Sequence, residues 1–189
     1  MTTTIRHCRK QRRKPSSTQQ PRTRENGRSK RVIFDLWELI AKFEKRISIR
    51  ALQNGFFYDV SMDQASPRFC WGHPRILSDM IGALADHLFL HILKGSLVVI
   101  QLQTVPLDKP GKFILKFLIM DNSLHLSSES LEPIFSRFTK TVLSISNDPT
   151  QGRHWVCRLA PPLVGKLSIQ NFPGWGNRYT IETELTTAK

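Results

Sequence analysis

Apolar positions recur along the chain at two different periods, and the changes of period lay out the elements. Over residues 36–53, Leu36, Ile40, Phe43, Ile47 and Ala51 fall near one face of a helix; Asp35 and Glu38 are spaced as a capping box, and Asn54-Gly55 supplies a stop. A second helix is expected over residues 74–93, with Pro74 inside its first turn and Leu77, Met80, Ile81, Leu84, Leu88 and Ile92 as its inward stripe. Short strands are predicted at residues 32–34, 56–62 and 68–71, and a longer one at 97–104 before the turn PLDKPG. Residues 113–120 are apolar apart from Lys116, too few to span a membrane, and end in the carboxylate of Asp121. A mostly covered strand fits that pattern. A short helix follows, signalled by Ser127-Ser128-Glu129 and carried by Leu131, Ile134, Phe135 and Phe138. Residues 155–164 are expected to be helical, shortened or bent at Pro161-Pro162. Strands at 166–171 and 179–185 then flank the turn FPGWGN.

Composition changes this picture mainly at the N-terminus. The net charge is +13, from 28 basic and 15 acidic side chains, and residues 1–32 hold eleven Lys or Arg against the single acid Glu25. Lacking apolar periodicity and rich in Ser, Thr, Gln and Pro, residues 1–31 read as a disordered basic tail ahead of one domain at 32–187. Such a tail suits weak contact with nucleic acid or an anionic surface, and equally a solubilising leader. Cys8, Cys70 and Cys157 are too scattered for a disulfide framework or a zinc pattern, so reduced thiols and a cytoplasmic setting are expected. No membrane span, nucleophile elbow, phosphate-binding GK[ST] loop or HExxH segment is present.

Several segments together resemble a known family. IMDNSLHLSSESLEPIFSRF is similar to the strand, aspartate, turn and short helix ending in paired phenylalanines of bacterial histidine kinases and the wider GHKL group of ATPases (Bergerat fold). FDLWELIAKF followed by ALQNGFFYDV resembles the opening of the ATPase domain of hybrid sensor histidine kinases, and GHPRILSDMIGALADHL resembles the approach to the family's long helix. GKLSIQNFPGWGNRYTIETEL resembles its closing hairpin, with both turn glycines, Gly174 and Gly176. The resemblance runs over residues 34–185 and implies an α/β two-layer sandwich, a mixed β-sheet with helices packed on one face.

It also implies a nucleotide pocket at definite positions. Asp121 falls on the family's adenine-binding aspartate, and residues 139–151 occupy the place of its ATP lid. Of three alternating lid glycines only Gly152 remains, the others being Asp148 and Thr150. Ser123 and His125 stand where glycines would follow the aspartate, His87 where an asparagine would hold magnesium and phosphates, and Ala83 and Leu90 where a further asparagine and a lysine would lie. Side chains at backbone-approach positions occupy volume that ribose or phosphate needs. Imidazole serves magnesium poorly, Asp148 repels phosphate, and Pro149 offers no amide donor. The candidate pocket, Asp121, His87, Gly152, Ser123 and His125, therefore reads as degenerate, with no catalytic residue assigned. His87 and His91 are spaced for a transition metal but lack a third ligand, so no metal is expected.

The expectation is a degenerate, non-catalytic regulator acting through protein contacts in two-component phosphorelay signalling, with a sensor kinase, phosphotransfer protein or response regulator as partner. No cofactor is expected; ATP with Mg is the ligand if the pocket works. No phosphoacceptor hairpin fits ahead of residue 34, so an active domain would act in trans. The alternatives are that ATP-binding kinase or ATPase, and nucleic-acid binding through residues 1–31.

Overall fold

The computed structural model describes residues 30–122, 128–150 and 152–188. The tail up to residue 29 and the positions of Ser123 and His125 lie outside them, as does the start signal at Ser127. Asp35 ends the strand β1 (Val32–Asp35) and caps the helix α1 (Leu36–Asn54), its carboxylate accepting from the amides of Trp37 and Glu38 at 2.9 and 3.1 Å. Gly55 closes that helix at φ 71°, its amide donating to the Ala51 carbonyl. The stripe expected on α1 is the buried one: Leu36, Ile40, Phe43, Ile47 and Ala51. Two short strands follow, β2 (Phe57–Met62) and β3 (Phe69–Gly72), and then α2 (Pro74–His91). The long hairpin β4 (Leu97–Pro106) and β5 (Lys112–Asp121) leads to α3 (Ser128–Phe138).

The strands form one mixed sheet in the order β2-β4-β5, continuing through β9 (Gly176–Thr187), β8 (Gly165–Phe172), β7 (Gly152–Leu159) and β6 (Thr139–Asp148). Among the described residues only β2 and β4 run parallel; β1 and β3 form an antiparallel pair joined to β9. The three helices pack on one face. Period-2 alternation sends Phe113, Leu115, Phe117 and Ile119 of β5 and Tyr179, Ile181, Thr183 and Leu185 of β9 beneath them. There Phe43 of α1 meets Phe117 edge-to-face at 5.3 Å. The other face is polar: Glu182 pairs with Lys166 at 3.1 Å and Lys116 at 3.8 Å, and Glu184 pairs with Lys112.

One expected element takes a different form. Residues 155–164 are not helical: Gly152–Leu159 is the strand β7, antiparallel to both β6 and β8. In HWVCRL the helix-like apolar content hides a strict alternation, with Trp155, Cys157 and Leu159 buried while Arg153 and Arg158 stay in water. Pro161-Pro162 lies in the turn after the strand, where missing amides cost no ladder bond. Residues 139–148, in the place of a lid, are a ten-residue strand as well.

Candidate functional site

Three adjacent strands bring a polar row to one end of the sheet. Asn171 of β8 faces Asn177 of β9, which faces Asp121 of β5. The side chains are linked in that order, Asn171 Nδ2 donating to Asn177 Oδ1 at 2.7 Å and Asn177 Nδ2 to Asp121 Oδ1 at 3.1 Å. Asp121 and Asn177 are both buried, so this hydrogen bonding offsets the cost of taking a carboxylate and an amide out of water. Tyr179, two residues on, has its phenol pushed well up by burial and then by the charge of Asp121.

Glycines let the backbone close around this row. A Cβ on Gly176, at φ 115°, would stand 1.9 Å from the Asp121 carbonyl oxygen. A Cβ on Gly152, at φ 74°, would stand 1.9 Å from the carbonyl oxygen of Asn171. Gly152 is thus explained by strand packing at the hairpin tip. Asp148 at that tip accepts from the Thr150 amide at 2.7 Å, closing the turn on itself.

His87 enters from α2. It is only 7% exposed, its ring 4.9 Å from that of His91 and 6.3 Å from that of Tyr179, and Nε2 has no hydrogen-bond partner among the described residues. Burial, and then the neighbouring His91, lower its pKa to about 4. At neutral pH it is uncharged, so it brings no positive charge to a phosphate. Leu90 is exposed, whereas Ala83 is partly covered and packs against the core. Among the described residues no three His, Cys, Asp or Glu side chains gather to hold a metal, and His91 stands alone beside His87.

A cavity of about 270 Å³ opens beside the row, lined by Met120, Asp121, Phe172, Trp175, Asn177 and Arg178. Trp175 at the turn is 84% exposed, and the Arg178 guanidinium lies 5.0 Å from the Phe172 ring. Of the five positions expected to form a pocket, the structure brings Asp121 and His87 to the helix-covered face and places Gly152 against Asn171, while Ser123 and His125 lie outside the described residues. Asn171 and Asn177 are the residues that reading by motif missed. Their signal is register: each sits one residue inside the closing turn, level with the end of the Asp121 strand.

No family model matches the sequence, and no curated protein matches it. Solved structures do resemble the fold. The mycobacterial sensor histidine kinase MprB is 14% identical at a TM-score of 0.53, over 84% of this chain and 100% of that one. Histidine kinase ThkA, in complex with the response regulator protein TrrA, is 16% identical at a TM-score of 0.50, over 82% of this chain and 41% of that one. Full-length ShkA, in complex with AMPPNP, is 12% identical at a TM-score of 0.54, over 84% of this chain and 32% of that one. This chain has the fold of a histidine-kinase ATPase domain.

Proposed function

We propose that the chain is a degenerate histidine-kinase-like module that works without nucleotide, through protein contacts in a two-component relay. The observation that carries this reading is the β6–β7 hairpin. The resemblance implies a glycine-rich lid there, opening onto a helix whose N-terminal amides bind phosphate. The amides facing the β6–β7 and β7–β8 ladders are used there, leaving open those on the outer edge of β6, and no helix N-terminus follows among the described residues. The rest of the site agrees: Gly152 is occupied by Asn171, Asp148 adds negative charge at the tip, and His87 is neutral. The residues present do not fit a magnesium triphosphate.

ThkA, whose structure was determined with a response regulator, supports that class of partner for a domain of this fold. The test is a thermal melt of the full chain against Mg-ATP. A melting temperature that stays flat to millimolar ligand is expected, whereas a tight binder would add about 3–4 kcal/mol at a hundred to a thousand times its Kd. A saturable rise that disappears in Asp121→Asn would overturn the reading.

That rise would favour the second reading, an ATP-binding domain acting on a partner in trans. One observation favours it: Asp121 is buried at its strand end and oriented by Asn177, as an adenine-binding carboxylate must be.

A further inference from the structure

The strand β6 forms an edge of the sheet, pairing with β7 alone among the described residues. Residues 140–148 are all exposed, including Val142 at 52% and Ile145 at 64%. The seven residues between Lys140 and Asp148, TVLSISN, carry no charge and no proline. Edge strands usually carry such features inside them because open amides and carbonyls recruit another strand.

We infer that this edge is an interface between two copies of the chain, paired antiparallel through β6. The argument is self-complementarity. Bulges lie between Thr139 and Thr141 and between Val142 and Ser144, and the ladder is regular from Ser144 to Asp148. Val142 faces Cys157 and Ile145 faces Trp155, both on the helix-covered side, whereas Thr141, Ser144 and Ser146 face Arg158, Val156 and His154 on the other side. Counting each bulge as one ladder position, a two-fold axis through Ser144 keeps every side chain on its own face. Val142 then meets the partner's Ile145, Thr141 meets the partner's Ser146, and each contact occurs twice.

The ends agree as well. Lys140 comes beside the strand end that carries the partner's Asp148, and the same pair recurs across the axis. Asp148 already accepts from Thr150, and a carboxylate has room for further donors. On the helix side, a groove of about 320 Å³ between α3 and the hairpin carries Phe135, Val142, Ile145 and Trp155 beside the charged Glu132 and Lys140. A perpendicular two-fold sets the two grooves side by side, so their apolar walls cover one another. An unrelated strand would match neither the apolar pairs nor the charged ends, which is why a second copy is the occupant. The inference is independent of whether nucleotide binds.

Sedimentation of the full chain tests it. A reversible dimer is expected at about 100 μM protein, weakened more than about a hundredfold by Ile145→Lys, which sets a cation against an apolar partner twice. Lys140→Asp should weaken it about tenfold, and Lys140→Asp with Asp148→Lys should restore it. Ser144→Cys, on the axis and facing away from Cys157, should cross-link the dimer under mild oxidation, whereas Ser146→Cys should not. These side chains are exposed, so unchanged melting temperatures at low concentration will show the monomer fold intact. A monomeric native chain, a dimer indifferent to Ile145→Lys, or cross-linking equal at residues 144 and 146 would each overturn the inference.

Discussion

The strands beneath the helices and the hairpin beyond them obey different constraints, although they belong to one sheet. On β5 and β9 every second side chain is buried against α1 or α2, and the face is closed by Leu84, Met80, Ile81 and Phe43. On β6 Thr139 is half-buried and every residue from Lys140 to Asp148 is exposed. The resemblance to histidine-kinase domains runs through both regions, and the hairpin stands where it implied a lid and a helix. Burial under helices leaves few ways to place a strand, since a one-residue slip would turn its apolar face to water. An edge hairpin has no such restraint, so its form can change while the covered frame persists.

The largest expected effect comes from cutting each region the same way. Leu84→Ala, fully buried on α2, should cost about 3–4 kcal/mol, whereas Ile145→Ala on β6 should stay within about 0.5 kcal/mol. Urea unfolding at a concentration where the chain is monomeric measures both. Equal losses would erase the distinction.

Acid should act on the covered region through His87. Its pKa is about 4 in the fold against an ordinary 6.5, so the unfolded chain binds the extra proton first. The fold's preference for the neutral ring is fully present above pH 6.5 and is lost as the pH falls from 6.5 towards 4. That loss reaches about 3 kcal/mol, and His87→Leu should remove it from the pH profile. If native and variant chains lose stability in parallel over that window, the ring is not protected as its burial implies.

Where the two regions meet, Gly152 gives a third and smaller effect. Gly152→Ala adds a side chain at positive φ against the Asn171 carbonyl and should cost about 2 kcal/mol; Gly174→Ala, at φ 76° in open space, should cost about 1 kcal/mol. A reversed order, read from melting temperatures, would mean that the hairpin tip yields more easily than the closing turn.

The same boundary separates what was legible in the sequence from what was not. The helices α1 and α2 and the strand β5 announce themselves because one long face of each must be apolar. In HWVCRL the apolar content suits either period, and the alternation that decides for a strand covers only six residues. Asp121 could be read by position at a strand end. Its partners could not, because Asn177 is 56 residues away and meets it only through the β5–β9 register. The glycine at 152 misleads in a similar way: its identity marks a place where the backbone could be closely approached, and only packing shows that the approaching group is Asn171.

The smallest effect concerns how α3 is fastened to the covered region. Arg137 reaches Asp79 of α2 at 3.8 Å and lies over the Phe138 ring at 4.9 Å, but both charged side chains are largely in water. An exposed pair of this kind contributes little, so a double-mutant cycle of Arg137→Ala and Asp79→Ala should return a coupling below about 0.5 kcal/mol. Leu131, Ile134 and Phe138 are buried on the same helix, and their removal from water outweighs the ion pair several times over. A coupling above about 1 kcal/mol would mean that charge as well as burial positions the helix that feeds the edge strand. In that case high salt should loosen α3 and β6 together, whereas burial alone leaves them indifferent to it.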